Sequence, residues 1–140
     1  MDTEELIEAA LDARLNAHAP YSRFRVGAAL LTRDGKVYSG CNVENASYGL
    51  TNCAERTAFF AAIADGRKPG DFERIAIVAD TEAPISPCGA CRQVMMELGG
   101  AHLEVIQSNL LGSVSTTTAI ALLPGSFTLD PDRAIAPLEP

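Results

Sequence analysis

Apolar and polar residues recur along this chain in two periods, and the switches between them mark out its elements. Leu6, Ile7, Ala10, Leu11 and Leu15 fall at helical spacing behind Asp2, a good N-cap with Glu5 three residues on. This predicts a helix from about Thr3 to Ala17 that packs on a sheet, with Pro20 just past its end. Phe24 to Thr32 is apolar enough to read as a strand buried on both faces or nearly so. Asp34-Gly35 gives a two-residue hairpin signal, and Lys36 to Glu44 returns as the partner strand. Its alternation puts Val37, Ser39, Cys41 and Val43 on one face and Tyr38, Gly40, Asn42 and Glu44 on the other.

After a loop from Asn45 to Thr51, Asn52 is placed to cap a helix from about Cys53 to Asp65, closed by Gly66. Phe72 to Asp80 is a strand. Ser86 as N-cap with Pro87 at the first helical position starts a helix that runs to about Leu98 and stops at Gly99-Gly100. Leu103 to Gln107 and Ser113 to Thr118 are strands joined by a link too short for a crossover helix, so they should run antiparallel. A short helix over Ala119 to Leu123 follows. Five strands with helices between them predict an α/β domain, a five-stranded mixed sheet with helices on both faces. Its expected extent is 1–127, with a proline-containing tail over 128–140.

Composition narrows the function. A chain of 140 residues, 47% hydrophobic, makes one ordinary domain. No apolar run approaches the ~20 residues needed to span a bilayer. The acidic, amphipathic start MDTEELIEAA is neither a signal nor a transit peptide, so a cytoplasmic location is expected. A net charge of −7 argues against nucleic acid and anionic membrane as partners. Four cysteines in such a chain point to metal or catalytic thiols before disulfides.

Cys88-x-x-Cys91 alone fits either a redox dithiol or half a zinc site. A thioredoxin-like order would place it after the first strand, whereas a hairpin and a helix–strand unit precede it here. Cys53 supplies a third thiol, and His18 and His102 lack ligand spacing. Three protein ligands leave one position open, as a catalytic zinc requires, and helix starts favour thiolate over thiol. Glu55, two residues past Cys53, is either a capping-box residue for Asn52 or the acid–base group of such a site. A guanidinium at Arg56 would offset the charge of a tris-thiolate cluster. Asn42 and Glu44 together suit a sugar hydroxyl, one donating and the other accepting, although a solvated strand end would look the same. Cys41, on the Val face, is most simply a small hydrophobe.

Cys53-Ala54-Glu55 with Pro87-Cys88-Gly89-Ala90-Cys91 resembles the signature of zinc nucleobase deaminases. Further stretches resemble the small, homotetrameric cytidine deaminases over nearly the whole length. They are Ala19-Pro20-Tyr21-Ser22, Gly40-Cys41-Asn42-Val43-Glu44-Asn45-Ala46-Ser47-Tyr48 and Leu122-Leu123-Pro124-Gly125-Ser126-Phe127. The resemblance implies the three-layer α/β/α fold of that family. It also implies a hydrolase of pyrimidine salvage that converts cytidine and deoxycytidine to uridine and deoxyuridine and releases ammonia. Cys53, Cys88 and Cys91 would hold one zinc ion per chain, and Glu55 would shuttle protons. The backbone of Ala54 would meet the cytosine carbonyl, and the carbonyl of Ser86 the amino group. Asn42 and Glu44 would bind the ribose 3′-hydroxyl, with Phe24 packed on the base. Phe127 would reach in from a neighbouring subunit of a tetramer, and Tyr48 would belong to a subunit contact near the site. The strand after Gly112 and the proline-containing tail depart from the family pattern without touching these motifs. Alternatives are a deaminase of a cytosine-containing antibiotic such as blasticidin S, a non-catalytic zinc module on the same fold, and a redox dithiol protein.

Overall fold

The computed structural model describes residues 1–129, so the expected tail lies almost wholly outside the described residues. Helix α1 (Thr3–Arg14) opens with the expected capping box: the Glu5 N–H donates to Asp2 Oδ1 at 2.8 Å, and the Asp2 N–H donates to Glu5 Oε2 at 2.9 Å. It ends a turn earlier than its apolar stripe suggests. Residues 15–17 tighten into turns so that His18 can pair with Val43, and Leu15 is left 65% exposed. The buried stripe is therefore Leu6, Ala10 and Ala13.

Strands β1 (Val26–Thr32) and β2 (Val37–Cys41) form the expected hairpin, but residues 33–36 join them rather than a two-residue turn: the Gly35 N–H donates to the Thr32 carbonyl at 3.1 Å, and Gly35 takes φ +94°. Helix α2 (Ala54–Ala64), strand β3 (Phe72–Ala79) and helix α3 (Gly89–Val94) follow, and α3 continues through a π turn at Met95–Gly99. Strands β4 (Glu104–Asn109) and β5 (Val114–Thr118) and a single turn of helix, α4 (Ala119–Leu122), complete the described chain. The sheet order is β2-β1-β3-β4-β5. Only β3 and β4 pair in parallel, and β4 and β5 are antiparallel as expected.

Side chains alternate across the sheet, so β1 and β3 feed two cores. Leu6 and Ala10 of α1 pack on Ala29, Leu31, Ala76, Val78 and Ile106. On the other face, Ala58, Phe59 and Ala62 of α2, with Cys91 and Met95, pack on Leu30, Ile75, Ile77 and Val105. This is the predicted three-layer α/β/α arrangement. Backbones meet directly at two glycines: a Cβ on Gly27 would lie 1.9 Å from the Ala10 carbonyl oxygen, and one on Gly40 2.2 Å from that of Ala54. Gly40 thereby lets α2 lie flush on β2.

Candidate active site

Strand β1 is antiparallel to both β2 and β3, so β2 and β3 run the same way and end at the same edge of the sheet. The starts of α2 and α3 converge beside that edge, as helix starts do after parallel strands. Both starts differ from the sequence expectation. Cys53, not Asn52, is the N-cap of α2, and Cys88, not Ser86, is the N-cap of α3, with Pro87 still outside the helix. Neither cysteine makes a side-chain cap bond. Asn52 is engaged elsewhere: its backbone pairs with Val43, and its Nδ2 donates to Thr57 Oγ1 at 3.2 Å. The capping box that would have made Glu55 purely structural is therefore absent, and Glu55 stands second in the helix.

The freed thiols turn toward one another. Cys53 Sγ and Cys88 Sγ are 3.7 Å apart, and the sulfurs of Cys53, Cys88 and Cys91 all lie within 4.8 Å of one another. Arg56 Nη2 donates to Cys53 Sγ at 3.3 Å, while its buried Nε has no partner among the described residues. Hydrogen bonding from Cys91, with help from Arg56 and Cys88, pulls the Cys53 thiol down to about 5. The same bond, burial and the nearby Glu55 charge push Cys91 well above the usual thiol range. Three sulfurs crowded together, Cys53 the readily ionised one, with a guanidinium already compensating, suit a thiophilic dication, which would ionise the other two.

Glu55 is 4% exposed, and burial, reinforced by the Cys53 charge, raises its carboxyl to about 6. It lines a cavity of about 210 Å³ together with Cys53, Cys88, Ala54, Ser86 and Phe24. That is below the ~300–1,000 Å³ typical of sites for drug-sized ligands, and leaves room for a compact group at its base. β2 stops at Cys41, short of the expected Glu44, but Asn42 and Glu44 flank Val43, which bridges to His18 and Asn52, and both line the same cavity, as their alternation predicted. The N–H of Ala54 is the first of α2 and has no partner within the helix. The Ser86 hydroxyl oxygen accepts from Arg92 Nη2 at 2.7 Å, and the Ser86 carbonyl accepts no hydrogen bond among the described residues.

Two expected residues lie elsewhere on this chain. Tyr48 is 76% exposed and edge-on to Tyr21, in a neighbouring hollow that shares Ser22 and Glu44 with the cavity wall. Phe127 is 70% exposed beside Gln93 and Met96. The residues that sequence reasoning missed are Ser22, which binds Glu44, and Arg92. Arg92 clamps the Pro87 carbonyl at 2.8 Å and the Leu122 carbonyl at 2.8 Å. Neither has a spacing signal, because each acts on a partner across the fold or through the backbone.

Fold and thiol cluster together define a zinc-binding deaminase domain. Residues 1–106 match the family model described as the cytidine and deoxycytidylate deaminase zinc-binding region. The chain is 57% identical to the cytidine deaminase of Halalkalibacterium halodurans over 93% of its own length and 97% of the relative's. It is 54% identical to that of Sporosarcina psychrophila over 91% and 93%. The crystal structure of cytidine deaminase from Burkholderia pseudomallei superposes with a TM-score of 0.90 at 62% identity, over 91% of this chain and all of that one. The chain belongs to the cytidine deaminase family of zinc-binding enzymes.

Proposed function

We propose that this protein hydrolyses cytidine and deoxycytidine to uridine and deoxyuridine with release of ammonia, within a single catalytic domain over 1–127. The observation that carries this reading is the buried Glu55 carboxyl, set on the cavity wall beside the three thiols. The named activity of the close relatives supports the choice of substrate.

Cys53, Cys88 and Cys91 hold one zinc ion per chain, and Arg56 offsets their charge. Zinc, when bound, supplies the Lewis acidity that makes water nucleophilic near neutral pH. Glu55 takes a proton from water and delivers it to ring nitrogen N3, which makes C4 electrophilic. The hydroxide left behind adds to C4. Glu55 then takes the second proton from the new C4 hydroxyl and gives it to the amine, and the C4–N bond breaks to release ammonia as the C4 carbonyl forms. Burial, which favours its neutral form, suits a group that must both accept and return a proton. The Ala54 N–H donates to the cytosine carbonyl, the Ser86 carbonyl accepts from the amino group, and Phe24 packs on the base.

The sugar end follows from counting hydrogen-bond capacity. Asn42 Nδ2 donates to the Phe24 carbonyl at 2.8 Å, and its Oδ1 accepts from the Val26 N–H at 2.9 Å. One N–H remains on Asn42, and Glu44, which accepts from the Tyr21 and Ser22 N–H groups and from the Ser22 hydroxyl, keeps one of its about four acceptor positions. A hydroxyl, which accepts and donates once each, matches that pair, and we assign it to the ribose 3′-OH. A carboxylate there repels a 3′-phosphate, and with the −7 chain this selects free nucleosides over polynucleotides. The exposed Tyr48 and Phe127 are assigned to contacts of a homotetramer whose sites are shared between subunits, in a cytoplasmic enzyme of pyrimidine salvage. No helix among the described residues is long and apolar enough to cross a membrane.

The test is Glu55→Gln, assayed for ammonia release and zinc content on one preparation. Turnover should fall by at least ~10³-fold with zinc retained, because general acid–base steps contribute ~10²–10⁴ and this group acts more than once. Near-normal turnover would overturn the assignment.

A further inference from the structure

We propose that Ser22 is the positioning residue of the sugar end: its hydroxyl fixes the Glu44 carboxylate and the Phe24 backbone at once. The proposal rests on the assignment of Glu44 to the sugar hydroxyl. Glu44 Oε1 accepts from the N–H groups of Tyr21 and Ser22, each at 3.0 Å, and Oε2 accepts from the Ser22 hydroxyl. A carboxylate offers about four acceptor positions, so one turn of chain fills three and leaves a single one on Oε2.

The Ser22 oxygen is also an acceptor, taking the Phe24 N–H at 3.0 Å. Arg23, between them, is the only non-glycine among the described residues with positive φ, 57°, a conformation that side chains rarely adopt. That left-handed bend returns Phe24 N–H to Ser22, and the Arg23 N–H closes the turn on the Ala19 carbonyl at 3.0 Å. Phe24 is thus held at its N–H by Ser22 and at its carbonyl by Asn42. Base-facing and sugar-facing groups share one serine oxygen as their link. The hydrogen bonds from Ser22 and Tyr21 also hold the Glu44 carboxyl below its usual range, which keeps it a charged acceptor. Without the Ser22 hydroxyl, Oε2 regains a position for water and the carboxylate loses its fixed orientation.

The experiment compares kcat/KM for cytidine and 3′-deoxycytidine in the wild-type protein and in Ser22→Ala, Ser22→Thr and Glu44→Gln. One hydrogen bond to a charged group corresponds to roughly a tenfold effect. Ser22→Ala should therefore shrink the preference for cytidine over 3′-deoxycytidine about tenfold, and Ser22→Thr, which keeps the hydroxyl, should restore it. Equal losses on both substrates would make Ser22 a structural loop residue and overturn the proposal, as would no loss at all. A preference unchanged in Glu44→Gln would instead remove the underlying assignment of Glu44.

Discussion

Gly40→Ala tests how the sheet places the chemistry. The added Cβ would sit 2.2 Å from the Ala54 carbonyl oxygen and 2.6 Å from the Ala58 nitrogen. That is about 1 Å nearer than the ~3.5 Å at which such atoms normally meet. Both obstacles are backbone, so no side chain can swing aside, and α2 itself must lift from β2. Overpacking of this kind costs ~1–3 kcal/mol, or roughly 3–12 °C in Tm for a chain of this size. The larger effect falls on the site, since α2 carries Cys53, Glu55 and Arg56 at its start while Cys88 and Cys91 stay with α3. A displacement near 1 Å between reacting groups costs ~10²-fold in rate. Thermal melts and ammonia-release kinetics at matched zinc content give both numbers. Wild-type Tm and wild-type kcat/KM in Gly40→Ala would refute the claim that backbone contact at this glycine sets the site.

The other perturbations act on single contacts. Chelation should lower Tm by ~10 °C and zinc should restore it, since a ligand at a thousandfold excess over its Kd stabilises by ~4 kcal/mol; differential scanning fluorimetry decides, and an unchanged Tm would count against a metal held by these thiols. Arg92→Lys keeps the charge but loses the fork that holds Ser86, Pro87 and Leu122, so kcat/KM should drop about tenfold; an unchanged rate would remove Arg92 from the support of the Cys88 start. Asp34 is held down to about 2, chiefly by its hydrogen bond with Arg67 at 2.6 Å. Its folded value lies below its unfolded one, so its contribution is present above about pH 4 and is lost as pH falls through 2. Asp34→Asn should flatten the Tm decline in that window, and superimposable curves would refute it.

The layers were legible in the sequence because periodicity reports burial. β1 and β3 are apolar on both faces, and the short link over 110–113 between β4 and β5 forces an antiparallel return. The helix starts were less legible. Propensity favours Asn52 and Ser86 as caps, since oxygen side chains satisfy the first N–H groups. The structure gives those places to Cys53 and Cys88, whose sulfurs leave the N–H groups alone and turn to each other. The end of α1 was set by the pairing of His18 with Val43, a long-range contact with no local trace. The shared face of Asn42 and Glu44 was visible from strand alternation, but the turn that fills most of Glu44's acceptor positions was not. That turn is built by backbone N–H groups, which every residue but proline carries.

The convergence of two helix starts at one sheet edge also separates the reacting groups from the groups that shape the rest of the cavity. The groups that would bind metal and move protons sit on α2 and α3, anchored in the deep core. The turn before β1 and the end of β2 are different pieces of chain that reach the same cavity from its flank. Substitutions at 20–24, 42 and 44 would reshape the flank of the cavity without replacing a thiol or Glu55, so a selection for new nucleoside substrates is best confined to those positions.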